Sequence, residues 1–131
     1  VLSNLFRELS FIGCPPYYLF QGRPTVGNEP FRVPIVRGWE IFRSTLRLGS
    51  GLARRARFVL SHETGKIEIL AIDAQYIYAR YHRARDAAQR GQFLRYKRND
   101  QACWLDELAP AEGAPPYPAE SPPNANPDGP E

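Results

Sequence analysis

The chain has 131 residues, 17 Lys and Arg against 14 Asp and Glu, and a mean hydropathy of −0.46. That length allows one domain and little more. No apolar run approaches the roughly 20 residues of a membrane-spanning helix, and no charged segment leads into the apolar stretch of a signal peptide.

Only Cys14 and Cys103 occur. They form neither a CxxC zinc spacing nor a disulfide framework, so a reducing, cytoplasmic setting is expected. Met is absent and the chain opens on Val1, directly into a helical pattern. The sequence is therefore expected to be the C-terminal piece of a larger protein. Residues 109–131 hold four acidic and no basic side chains; the first 108 hold 17 basic against 10 acidic, a net of +7. Of the basic residues only Lys66 and Lys97 are Lys. Genomic base composition accounts for such an arginine bias; an anionic ligand or partner is the functional alternative.

In chain order, Leu2, Leu5, Phe6 and Leu9 follow the spacing of one buried helical face, which predicts a helix over 2–12. Gly13 and Pro15-Pro16 stop it. Pro16 to Gln21, PYYLFQ, reads as a short buried strand, and a loop with Gly22, Pro24, Gly27 and Pro30 follows. Pro34 opens a second helix to about Arg47, with Ile35, Val36, Trp39, Phe42 and Leu46 as its apolar stripe. Gly49-Ser50-Gly51 ends it. RFVLS and KIEILAI then read as strands around a turn, HETGK, and YIYARYH and QFLRYK as antiparallel strands joined by the polar RARDAAQRG. Residues 102–108 form a short closing element. The tail from Pro110 holds 8 of the 13 prolines and is expected to be disordered, because it cannot bury enough apolar surface to offset its ordering entropy.

Helix, strand, helix and then a run of strands define an α/β chain. The division expected is 1–51 as the last helix–strand–helix portion of a partial, three-quarter TIM-type barrel, 52–108 as an antiparallel β cap, and 109–131 as the disordered Pro-rich tail. In a barrel of this type the loops after the strands build the active site.

Two places could carry chemistry. Lys66 follows a Gly and opens a strand; a partly desolvated lysine there can lose its proton and form a Schiff base with an aldehyde cofactor. A plain exposed turn lysine is the alternative. Arg23 is the charged residue nearest the end of PYYLFQ, and its fork of donors suits a carboxylate, against the alternative of a solvated loop arginine. His62, in the turn before Lys66, could touch a cofactor phosphate or substrate, whereas His82 reads as a surface residue.

PPYYLFQ, the loop after it, FRVPIVRGWEIFRSTLRLGSGLARRARFVLS and then GKI resemble the C-terminal region of the lysine 2,3-aminomutase family of radical SAM enzymes, over about residues 2–72. The resemblance implies that Lys66 holds pyridoxal phosphate, although HETG here replaces a run of glycines. It sets Arg23 and Ser61 as substrate-binding positions where lysine-specific members carry aspartates. That inversion implies a substrate other than lysine, with an acidic side chain as in a glutamate-type aminomutase. The family's [4Fe-4S] cluster and S-adenosylmethionine are expected of the full-length protein, but the CxxxCxxC motif that binds them is absent from this sequence. The implied partner is a small amino-acid substrate, with homo-oligomerisation at full length and no membrane. A rival reading is a basic module for single-stranded nucleic acid, from the Tyr and Arg alternation of YIYARYHRAR and FLRYKR, although a half-buried strand alternates in the same way. An inactive remnant of a split gene is the third.

Overall fold

The computed structural model describes residues 1–112. Two α-helices, α1 (Leu2–Phe11) and α2 (Ile35–Leu48), accompany five strands: β1 (Tyr18–Phe20), β2 (Arg57–His62), β3 (Gly65–Ile72), β4 (Tyr76–Ala84) and β5 (Phe93–Lys97). The strands form one sheet in the order β1-β2-β3-β4-β5. β1 and β2 are parallel, in register Tyr18 to Arg57 and Phe20 to Val59, and every later pair is antiparallel. The chain is therefore α/β, with a five-stranded mixed sheet that does not close on itself among the described residues.

α2 lies between two parallel strands in sequence, which is the βαβ arrangement that parallel pairing requires. It seals one face of the sheet. Phe42 stacks on Phe58 with ring centroids 5.8 Å apart, and a Cβ on Gly38 would stand 2.9 Å from the Phe58 ring. Glycine at 38 thus lets the helix press on the sheet. Burying Phe58 at 2% exposure contributes about 1.5–3 kcal/mol. Leu60, Ile67, Ile69, Ile77 and Tyr81 extend the same face, because side chains of a strand alternate with period two.

α1 departs from its stripe. Phe6 is buried, but Leu5 is 52% exposed, since α1 packs mainly on α2 and on the 3-10 turn Gly51–Arg54 and its outer side is left open among the described residues. β1 is three residues long, shorter than the run that reads as strand in the sequence. Residues 109–112, within the Pro-rich tail expected to be disordered, run beside β5: Lys97 N–H donates to Ala109 O and Ala111 N–H to Arg95 O. The rest of that tail lies outside the described residues. Among the described residues no helix is long and apolar enough to cross a membrane.

A two-residue loop, Glu63-Thr64, joins β2 to β3, with His62 opposite Gly65. Gly65 has φ +143°, and a Cβ there would fall 2.2 Å from the Arg83 carbonyl oxygen. Gly65→Ala is expected to lower the unfolding free energy by about 2 kcal/mol or more, measured by urea denaturation.

Candidate functional site

The face of the sheet turned away from α2 carries Ser61, Lys66 and Glu68. Register explains the grouping: Ser61 stands opposite Lys66 and Val59 opposite Glu68, and Ile67 between the two polar residues points into the core. Lys66 Nζ lies 4.9 Å from the centroid of the Tyr18 ring and 5.7 Å from that of Phe20, both on β1. The ammonium is attracted to the negative faces of these rings, which holds it at the β1 side of the open face. Tyr18 is half-buried, and burial pushes its phenol above the ordinary value, with Tyr17 acting the same way.

His82 sits edge-on to Tyr18, 5.6 Å between ring centroids. His82 alternates with core Tyr81 and so shares this face with Arg80; the register shift between Lys66/Ile67 and their β4 partners leaves it without a direct partner on β3. Burial, then the charge of Arg57, lowers its pKa, while Glu68 opposes them. Glu68 itself is clamped. Arg80 Nε and Nη2 donate to its Oε2 at 3.1 and 3.0 Å, and Arg57 Nε lies 3.6 Å from Oε1. Arg57 and Arg80 thus pair with one carboxylate on the face that also carries Lys66 and His82.

Arg23 is elsewhere. It lines a polar cleft of about 210 Å³ with Pro24, His62, Glu63, Trp104 and Asp106, at the end of β1 and the β2–β3 turn. The structure brings Ser61 and Lys66 together as cross-strand partners; Lys66 does not line the Arg23 cleft. In that cleft His62 Nε2 lies 3.1 Å from Asp106 Oδ1, and the two carboxylates of Glu63 and Asp106 share the space with the guanidinium. The loop before it is pinned by Asn28 Nδ2, which donates to Arg23 O at 2.6 Å, and by buried Gln21, whose Nε2 donates to Val33 O (2.5 Å) and Cys103 O (3.1 Å).

Gln21 and Glu68 are site-shaping residues that the sequence reading passes over, and His82, read there as a surface residue, is half-buried against Tyr18. Period two from Lys66 places Glu68 on its face, and period two within YIYARYH places His82 with Arg80; what the sequence lacked was the strand pairing that brings these faces together. The Tyr and Arg alternation of β4 has a packing origin: Ile77, Ala79 and Tyr81 are in the core, Arg80 holds Glu68, and Tyr78 Oη donates to Asp73 Oδ2 at 2.7 Å.

The class these features define is an α/β chain whose open sheet face presents one lysine against two aromatic rings. The chain is 51% identical over 106 residues to a protein of Aquifex aeolicus (strain VF5) named "Putative L-lysine 2,3-aminomutase". The match covers 81% of this chain and 28% of that protein, so the chain spans little more than a quarter of its relative's length. No protein-family model and no solved structure matches. The chain belongs to the lysine 2,3-aminomutase-like family, in agreement with the resemblance carried by residues 2–72.

The segment closing the Arg23 cleft is fastened by Glu107, which accepts from Cys103 N–H at 2.8 Å and pairs with Arg32. The Cys103 bond first, then Arg32, holds its carboxyl below the ordinary value. A depressed native pKa gives stability that is full above the unfolded value, about 4.3, and lost as pH falls through the native one. Wild type is therefore expected to exceed Glu107→Gln by about 1 kcal/mol near neutrality, and the gap to close in acid, as read by urea unfolding across pH.

Proposed function

We propose that this chain is the C-terminal part of a radical SAM, pyridoxal-phosphate-dependent amino-acid 2,3-aminomutase, an isomerase, and that it contributes the cofactor lysine, Lys66. The observation that supports this best is the placement of the Lys66 amine on the open sheet face over Tyr18 and Phe20. In the full-length protein, residues 1–51 are taken as the terminal unit of a three-quarter barrel and 52–108 as a β-rich cap; the parallel β1–α2–β2 unit supports the barrel-type crossover, with its last strand falling in 52–108. The full protein is taken as cytoplasmic and homo-oligomeric.

The residues present fit pyridoxal phosphate: a primary amine stands beside two aromatic faces on which a pyridine ring can lie. When bound, that group supplies an aldehyde that captures amines and a ring that delocalises electrons. Lys66 supplies Nζ as the point of attachment. Tyr18 and Phe20 exclude water from one side of it. Ser61 offers a hydroxyl one cross-strand step away, and Arg57 and Arg80 pair with the Glu68 carboxylate on the same face. The described residues do not fit an iron–sulfur cluster, since among them no group of three His, Cys, Asp or Glu could hold a metal. We assign the [4Fe-4S] cluster and S-adenosylmethionine to sequence outside this chain.

Arg23, in place of the aspartate of lysine-specific members, favours a substrate with a negative distal group. The Glu63 and Asp106 carboxylates line the same cleft and oppose an anion there, so the preference rests on the guanidinium fork alone. In the full-length enzyme Arg23→Ala is expected to raise KM for an acidic amino acid about tenfold; an unchanged KM removes Arg23 from the substrate site. On the 131-residue chain, borohydride reduction in the presence of pyridoxal phosphate is expected to leave a stable adduct. Lys66→Ala should cut its yield about tenfold while Lys97→Ala leaves it intact. Equal labelling of Lys66→Ala and wild type would discard the cofactor role.

A further inference from the structure

Thr64 stands two residues before Lys66 and is held on three sides. Its N–H points at Nδ1 of His62, 3.3 Å away. Its hydroxyl lies 2.8 Å from the same Nδ1 and 2.8 Å from Tyr81 Oη. Its carbonyl accepts from Arg85 N–H at 2.8 Å. A backbone N–H directed at Nδ1 requires a lone pair there, so His62 carries its proton on Nε2, facing Asp106 Oδ1. The direction of the chain follows: Tyr81 O–H donates to Thr64 Oγ1, Thr64 O–H donates to His62 Nδ1, and His62 Nε2–H donates to Asp106. Tyr81 is 1% exposed and His62 7%, so water does not readily replace these bonds.

We infer that His62, acting through Thr64, is a positioning residue for the Lys66 amine. The inference rests on Lys66 being the reactive lysine. Between Thr64 and Lys66 there is only Gly65, which has no side chain to fasten and lies against the Arg83 carbonyl. The direction in which β3 leaves the turn is therefore set on one side by Thr64 and on the other by the Arg83 strand. Release Thr64 from His62 and Tyr81, and the start of β3 can roll about Gly65, carrying Nζ away from Tyr18 and Phe20. Asp106 fixes the His62 tautomer and thereby the acceptor that Thr64 needs. Arg23 and Glu63 share the cleft around this histidine and complete its charged surroundings.

The test uses the whole 131-residue chain with ¹⁵N-labelled histidine. NMR of wild type should show His62 protonated at Nε2 with Nδ1 accepting. Brief reductive methylation with formaldehyde and borohydride then gives the ratio of Lys66 to Lys97 labelling, which requires no pyridoxal phosphate. Thr64→Val is expected to raise that ratio about threefold as Nζ leaves the rings, and to lower the pyridoxal phosphate adduct by about the same factor; Thr64→Ser should restore both. Tyr81→Phe, which removes one bond and little volume, gives the same direction with a smaller change and stands in if Thr64→Val does not fold. An Nδ1-protonated His62 in wild type, or a wild-type ratio in both Thr64→Val and Tyr81→Phe, overturns the inference. The cofactor reading fails separately: Lys66→Ala would then keep the adduct while the methylation ratio still responded to Thr64→Val.

Discussion

Phe58 stacks on Phe42 beneath Gly38, and this contact decides which side of the sheet is available. With α2 seated over Phe58 and Leu60, the alternation of β2 sends Ser61 to the other face. Antiparallel register then sends Lys66 and Glu68 there as well. β1, held parallel to β2 by the same βαβ unit, brings Tyr18 and Phe20 to the edge of that face. A bulkier residue at 38 would lift α2 and unseal the core, and the face that carries Lys66 would lose the rigid backing that keeps it in place.

The open face is electrostatically one-sided. Arg57 and Arg80 pair with Glu68, and burial first, then Arg57, Arg80 and Arg83, depresses the His82 pKa. Glu68, with only 12% of its side chain exposed, is the group that makes this density of charge tolerable, since an unpaired cation in a half-buried setting is costly. The result is a surface with one amine over aromatic rings on the same face as a carboxylate already paired to two guanidinium groups. Across the strand end, the Arg23 cleft has a different character: a guanidinium, two carboxylates and a histidine within hydrogen-bond distance of Asp106. Two chemically distinct neighbourhoods therefore flank the short β2–β3 turn.

Much of this was legible in the sequence. Both helices and all five strands lie close to where periodicity, Pro34 and the Gly49-Ser50-Gly51 stop put them, and the order of motifs from PPYYLFQ to GKI was enough to recognise the family. Leu5 shows the limit of an apolar stripe: spacing tells which residues share a face, not whether anything covers it. His82 shows another: alternation puts it on the face away from Tyr81, but its place against Tyr18 depends on strand pairing that no local window contains. Arg23 and Lys66 follow neighbouring strand ends in the sequence pattern, yet the loop fastened by Gln21 and Asn28 sends Arg23 into a separate cleft. The HETG turn is shorter than the glycine run of the family, and its side-chain bonds through Thr64 were invisible without the fold that brings Tyr81 and Asp106 to it.

The placement of the reactive face is most directly tested by mapping backbone amide shifts of the 131-residue chain on titration with pyridoxal phosphate. Binding at Lys66 perturbs the amides of Tyr18, Phe20, Ser61, Lys66 and His82 together, and leaves α1 and the outer side of α2 unchanged. Shifts confined to the groove between α1 and α2, or spread evenly over the arginines, would contradict a Lys66-centred site.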